Sequence, residues 1–306
     1  ITSETLLTMH AATRTTGCTS FLPTMVTTGE HDMREAMAVV KDFRKGGRAS
    51  AVPGVHLEGP YVIKERRGIH NAGEIKALTP GMRESLAAFA QTTPLMLTLA
   101  PECVAPEDIR FLAEAGVVVS LGHSAATYEE AMRGMNAGAK AATHLFNGMA
   151  PFTAREPGIA GAALSCPDIA CGLIADGHHV HFAALALVKK LKEDMCFLVT
   201  AAPAPVGTAM TEFVFGGQTV YVKDDRCVNA QGTLGGSLLT MITAVANCVT
   251  HVGITLEEAL RMASLYPARL IGRDADLGVI AEGRFANLAI FSPETFAMTA
   301  TVDGGE

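Results

Sequence analysis

Seven short apolar runs, separated mostly by stretches with helical spacing, constrain this chain more than any other feature. The runs are Cys18–Thr24, Ser50–Gly59, Pro94–Glu102, Val117–His123, Ala141–Phe146, Cys171–Gly177 and Cys196–Thr200. Helices are predicted at 31–44, 80–91, 105–115, 127–137 and 182–191, where apolar residues recur at helical intervals. The opening stretch also reads as a helix, ending near Gly17, a plausible C-terminal glycine. Such alternation implies right-handed crossovers and a parallel sheet. Runs apolar throughout imply a sheet covered on both faces. A closed barrel of this kind takes eight strands. The expected fold class is therefore α/β, a (β/α)8 TIM-type barrel whose first strand lies upstream of Ile1. A doubly wound open sheet is the alternative, but no Gly-x-Gly-x-x-Gly turn follows an early strand.

After Thr200 the pattern changes. Glu212–Gly232 reads as a β-hairpin or meander with a Gly-Gly turn and a Lys-Asp-Asp turn. Helices are predicted over about Leu238–Val252 and Leu256–Leu270, and Gly278–Gly305 reads as strands. We therefore divide the chain into a barrel, 1–275, and the C-terminal strands of a small β-sandwich domain, 276–306. A chain of 306 residues with 49% hydrophobic content can fill a core of that size.

Charge and cysteine usage exclude some functions. A net charge of −7 argues against nucleic acid as the main partner, since a phosphate backbone wants a basic face. No run of 18 apolar residues is present, so no membrane span is expected, and no signal peptide is visible. The seven cysteines are odd in number and contain no Cys-x-x-Cys pair. They read as buried thiols in a reducing compartment, hence a cytoplasmic protein.

Chemistry in such a barrel sits at the C-terminal ends of the strands. These ends deliver His56-Leu57-Glu58-Gly59-Pro60, Gly122-His123-Ser124, Thr143-His144-Leu145-Phe146-Asn147 and Asp176-Gly177-His178-His179. One strand-end histidine is more often structural than a ligand. Glu58, His123 and His144 together, one per strand at the same rim, form a ligand set for a divalent metal with an open position for water.

The same segments carry a family resemblance. HLEGP (56–60), GHS (122–124), THLFNGM (143–149), REPG (155–158), IADGHHV (174–180), GTLGGSLLTM (232–241) and YPARLIG (266–272) stand in order along nearly the whole chain. Together they resemble the N-acetylglucosamine-6-phosphate deacetylases of the amidohydrolase superfamily. The resemblance implies one divalent metal ion on Glu58, His123 and His144, with zinc foremost and iron or another divalent ion as alternatives. It implies that His70 polarises the acetamide carbonyl or contacts the sugar. Asn147 and the backbone of Gly148 would touch the sugar phosphate, and His179 the sugar or its phosphate. Arg155 would bind phosphate, reaching the site of a neighbouring subunit in a homodimer. The loop around Leu234, Gly235 and Gly236 would border the acetyl group. His178 and His181 are left as structural or solvent-facing.

One position departs from the pattern. The last strand continues as Val199-Thr200-Ala201-Ala202, where the family has an aspartate after the Val-Thr pair. That carboxylate would activate water and then protonate the leaving amine, and Ala201 can do neither. Three accounts are open: an engineered variant, which the otherwise intact site favours, a natural inactive homologue, or a substitute carboxylate. Asp176 is nearest by position, although a loop-bracing role suits it better. The implied reaction is hydrolysis of N-acetylglucosamine 6-phosphate to glucosamine 6-phosphate and acetate. Rival readings are an amidohydrolase acting on another amide and a non-catalytic sugar-phosphate binder. A carboxylated-lysine site is disfavoured, because Glu58 stands where a strand-end lysine would.

Overall fold

The computed structural model describes residues 1–304. Seven parallel strands form one sheet in sequential order: β1 (Thr24–Val26), β2 (Val55–Glu58), β3 (Leu95–Leu99), β4 (Val118–Leu121), β5 (Ala141–Ala142), β6 (Ala170–Leu173) and β7 (Cys196–Leu198). From β2 to β7 the sheet is buried on both faces, while β1 is partly exposed. One face packs against the surrounding helices in a large apolar core. The other encloses a separate cluster of Met96, Val118, Ala141, Ala170 and Phe197, one residue from each of β3 to β7. A flat sheet would hold β2 and β5 about 14 Å apart, three steps of about 4.8 Å. Yet Glu58 at the end of β2 and His144 beyond β5 meet at 2.8 Å. The sheet is therefore curled around its inner cluster, in the manner of a barrel.

Above that apolar layer runs a belt of hydrogen-bonded polar side chains. Thr24 Oγ1 lies 3.1 Å from His56 Nδ1, and His56 Nε2 lies 2.8 Å from Thr98 Oγ1. Thr98 and Ser120 each sit 2.6 Å from the Thr143 hydroxyl. Each of β1 to β4 contributes one member, and the fifth follows β5. Gly122 leaves room for the belt, since a Cβ there would lie 3.0 Å from both Thr98 and Thr143.

Helices α1 (Ser3–Arg14), α2 (Glu30–Phe43), α3 (Pro80–Ala90), α4 (Pro106–Glu114) and α5 (Tyr128–Asn136) fall where the periodicity placed them. So does α7 (Phe182–Lys192), while α6 (Gly158–Ser165) was not anticipated. The sequence GIAGAALS is apolar around its circumference, with six of its eight residues buried, so it carries no helical stripe. Its carbonyl end is closed by Lys192, which is only 3% exposed. The Lys192 ammonium donates to the carbonyls of Ala163 (2.9 Å), Cys166 and Pro167 (3.3 Å).

Several boundaries differ from expectation. The first strand is Thr24–Val26 rather than Cys18–Thr24. Residues 18–23 run beside β2 and its approach, bonded only through Phe21 N to Ala51 O and His56 N to Pro23 O. Proline has no N–H to donate to a ladder. The helix expected over 238–252 is α8 (Met241–Asn247) continued by a wide turn, Cys248–Val252. The one expected over 256–270 is split at Ser264 into α9 (Leu256–Ala263) and α10 (Leu265–Leu270). Pro267 stands in the first turn of α10, where a missing N–H is tolerated.

The meander is a four-stranded antiparallel sheet of β8 (Glu212–Phe215), β9 (Gln218–Lys223), β10 (Arg226–Asn229) and β11 (Leu234–Ser237). Its first turn is Gly216-Gly217, both at positive φ, and its second contains Asp224 at φ 56°. In the tail only β12 (Leu288–Phe291) and β13 (Met298–Val302) are strands, forming an antiparallel pair; 279–287 is irregular. Residue 305, the last of the expected strand region, and residue 306 lie outside the described residues.

The Lys192 cap is open to test. Lys192→Met should lower unfolding stability by about 2 kcal/mol, because three carbonyls at a buried helix end lose their donor. Urea denaturation reads the change; an unaltered midpoint and slope would refute the cap.

Candidate metal centre and the barrel rim

Strand ends β2, β4 and β5 bring Glu58, His123 and His144 to one point. Glu58 Oε1 lies 2.9 Å from His123 Nε2 and 2.8 Å from His144 Nε2, and the two Nε2 atoms are 3.2 Å apart. Glu58 and His123 are buried, and the His144 side chain is 15% exposed. The other nitrogen of each imidazole faces a backbone carbonyl: His123 Nδ1 to Arg66 O at 2.8 Å, His144 Nδ1 to Asn147 O at 3.1 Å. A carbonyl only accepts, so each Nδ1 carries the hydrogen. In the neutral rings both Nε2 atoms are then bare lone pairs, aimed at each other and at a carboxylate oxygen.

Three acceptors so placed repel one another unless positive charge lies between them. Without a metal, a proton supplies part of that charge. Burial opposes the imidazolium most strongly, but the hydrogen bond to Glu58, the charge of Glu58 and the Arg66 carbonyl together raise the His123 pKa above its ordinary value. Burial likewise works against the Glu58 carboxylate, yet hydrogen bonds from His123 and His144 hold its pKa well below the usual range. One proton bridges one pair of acceptors; a divalent cation engages all three. Ligands about 2.0–2.1 Å from a tetrahedral centre stand about 3.3 Å apart, a few tenths of an ångström more than the spacings found. The donor set and its fixed tautomers fit a metal.

His70 competes for membership. One of its ring nitrogens lies within 4.8 Å of ligand atoms of Glu58 and His123. Its ring is tilted against His123 at 4.3 Å, and its Nδ1 is 2.9 Å from Thr27 Oγ1. The tighter contacts of His144 make Glu58, His123 and His144 the better ligand set, with His70 beside it. Burial pushes the His70 pKa down to about 3, aided by the nearby His123, so its ring is neutral.

The rim backbone is unusual in a consistent way. His123 (φ 49°), His144 (φ 29°) and Ala201 (φ 49°) are all left-handed, each just past a strand end. Left-handed backbone at a residue other than glycine is uncommon and favours Asn and Asp. Glu102 braces the first of these bends, accepting from Ser124 Oγ at 2.6 Å and Ala125 N at 2.8 Å. Gly148 lies against the His123 ring, where a Cβ would come within 2.9 Å of Nδ1.

The remaining expected residues are more dispersed. Asn147 stays with the cluster, its carbonyl holding His144. His179 is bound to Asp176, whose carboxylate accepts from the ring at 2.6 Å and from two backbone amides at 2.9 Å. Burial opposes ionisation of Asp176, yet these donors depress its pKa strongly. Asp176 thus braces its loop, as its favoured reading had it. His178 reaches Asp225 in the second turn of the meander, and His181 caps α7. Leu234 and Gly235 belong to β11 rather than a loop, and Gly235 packs on Ile69, next to His70. Arg155 is exposed and ion-paired to no carboxylate among the described residues. Ala201 is exposed, its carbonyl 3.3 Å from Ser237 N.

Sequence reasoning missed Thr27, which holds His70. Its signal was present: had the first strand been placed at 24–26, Thr27 would have been its rim residue. Glu102 and the polar belt were missed as well, since isolated Thr, Ser and Glu carry no motif.

Comparison with known proteins places this geometry. Residues 1–305 match the amidohydrolase family. The chain is 38% identical over 304 residues to an N-acetylglucosamine-6-phosphate deacetylase of Haemophilus influenzae, covering 98% of this chain and 79% of that protein. It is 39% identical over 291 residues to an N-acetylgalactosamine-6-phosphate deacetylase of Shewanella, covering 94% and 72%. The crystal structure of the Pasteurella multocida N-acetylglucosamine-6-phosphate deacetylase superposes with TM-score 0.95 at 40% identity, covering 100% and 80%. An aspartate-to-alanine mutant of the Mycobacterium smegmatis enzyme, in complex with N-acetyl-D-glucosamine-6-phosphate, gives TM-score 0.90 at 32% identity, covering 100% and 80%.

Metal content separates the two histidine sets. His144→Ala and Glu58→Gln should abolish stoichiometric metal by elemental analysis after dialysis, while His70→Ala retains it. Retention by His144→Ala together with loss by His70→Ala would transfer the ligand role to His70.

Proposed function

Given that the chain belongs to the amidohydrolase family, and within it to the N-acetylglucosamine-6-phosphate deacetylases, we propose that its site is built to hydrolyse the acetamide of N-acetylglucosamine 6-phosphate to glucosamine 6-phosphate and acetate. The observation that carries this reading is the convergence of Glu58 Oε1 and two Nε2 lone pairs at the strand ends. Glu58, His123 and His144 are the proposed metal ligands, with zinc the proposed ion. A divalent ion held there would polarise the acetamide carbonyl and acidify the attacking water.

The chain's own residues do the rest. His70 stabilises the developing oxyanion. That role needs a hydrogen on Nε2, which follows when the Thr27 hydroxyl gives its one hydrogen to Nδ1 at 2.9 Å rather than to the Glu58 carbonyl at 3.4 Å. A neutral ring suits a donor that must not surrender its proton, in keeping with its lowered pKa of about 3. Asn147, the Gly148 backbone, His179 and Arg155 bind the sugar phosphate. The guanidinium offers a planar fork to an anion and is free of internal carboxylate partners among the described residues. Leu234 and Gly235 border the acetyl group. Contacts to the phosphate, remote from the reacting carbon, orient the amide.

Position 201 is the proposed seat of the proton shuttle. Its left-handed backbone matches those of His123 and His144 and suits an aspartate better than an alanine. With a methyl group there, the chain retains binding but lacks the base that deprotonates water and the acid that releases the amine. A chain that binds without turnover is the second reading, and Ala201 is the observation that favours it. The remaining assignments are a barrel over 1–275, a small β-domain over 276–306, a homodimer and a cytoplasmic setting. Seven unpaired thiols fit a reducing compartment. No described helix is long and apolar enough to cross a membrane.

Acetate release from N-acetylglucosamine 6-phosphate, measured at equal metal loading, tests the whole reading. Ala201→Asp should raise turnover by about 10²–10⁴-fold. The 4-epimeric N-acetylgalactosamine 6-phosphate, run in parallel, reports the preferred sugar. If both forms bind and neither hydrolyses, the chain is a sugar-phosphate binder.

A further inference from the structure

We propose that Glu156 and Thr153 are positioning residues that hold Arg155 as a preorganised phosphate finger, an inference that rests on the assignment of Arg155 to the substrate phosphate. Arg155 sits inside a turn closed at both ends. Thr153 N and Thr153 Oγ1 donate to Glu156 O at 3.1 and 3.0 Å, and Glu156 N donates back to Thr153 Oγ1 at 3.0 Å. The turn is then fastened to the scaffold by one oxygen. Glu156 Oε1 accepts from Tyr128 N at 2.7 Å and from Gly158 N at 3.0 Å. Those amides belong to the first residues of α5 and α6, which have no partner within their own helices. A carboxylate between two helix N-termini is also favoured by both helix dipoles.

The consequence falls on Arg155. Its neighbours' polar groups are occupied within the turn, while its guanidinium is exposed and meets no carboxylate among the described residues. The backbone beneath it is fixed before any anion arrives. A free loop would have to be ordered on binding, and that cost would weaken the complex. Because a single oxygen accepts both amides, an uncharged amide side chain can do the same work.

Calorimetric titration of N-acetylglucosamine 6-phosphate into the metal-loaded chain tests this through a double-mutant cycle. Glu156→Ala should weaken binding roughly three- to tenfold, on the scale of ordering a loop side chain. Glu156→Gln should bind like the parent. Glu156→Ala should add nothing in an Arg155→Ala background, since both act through one guanidinium. Equal weakening in the two backgrounds overturns the positioning role. No weakening by Arg155→Ala alone removes the phosphate assignment of Arg155, and the proposal with it. Should Glu156→Ala fail to fold, Thr153→Val opens the same turn without uncapping either helix. A loss of affinity there supports the proposal, and unchanged affinity beside a weakened Arg155→Ala overturns it.

Discussion

Three lone pairs facing one another within 2.8–3.2 Å are the constraint around which this molecule is organised. Such a cluster is unfavourable by itself, and a chain holds it only if the surroundings leave no alternative. The curled sheet brings the end of β2 to the ends of the adjacent β4 and β5. Carbonyls of Arg66 and Asn147 fix both tautomers. Left-handed bends turn the imidazoles inward, and Gly59 and Gly148 clear the space that Thr27 and His123 occupy. Remove the need for a cation at that point and most of these features lose their reason.

The four-stranded sheet β8–β11 serves the same centre from outside. Its apolar side closes on Ile69, which joins Val220 and Cys227 in a small core. Two glycines permit the approach: a Cβ on Gly216 would lie 2.2 Å from the Ile69 carbonyl, and one on Gly235 2.3 Å from its Cδ1. Ile69 precedes His70, so the insertion presses directly on the segment that carries that imidazole. At its far turn Asp225 reaches His178, beyond β6. The insertion therefore touches the rim on two separate loops.

Much of this was legible in the sequence, for physical reasons. Parallel strands covered on both faces must be apolar throughout, so β2 to β7 were detectable, and amphipathic helices betrayed themselves by spacing. The Gly216-Gly217 turn was readable because few other residue pairs adopt it. What escaped lacked a periodic or chemical signature. Helix α6 is buried nearly all round, so no stripe marks it. Residues 18–23 are as apolar as a strand but do not pair as one, and that misplacement concealed Thr27. The ligand residues were legible as types at strand ends, whereas their meeting within 3.2 Å depends on a curvature that no local pattern encodes.

The polar belt under the metal centre has a property that its distances alone do not express. Each hydroxyl has one hydrogen to give, and burial pushes the His56 pKa down to about 4, leaving its ring with one N–H. With hydrogen on Nδ1, His56 donates to Thr24 and must accept from Thr98, so that Thr143 donates to Thr98 and Ser120 to Thr143; with hydrogen on Nε2, Thr24 donates to His56 and His56 to Thr98. A doubly protonated His56 would donate to both neighbours and force the two halves to diverge. The tautomer of one imidazole thus sets the direction of hydrogen bonding to the strands on either side of it.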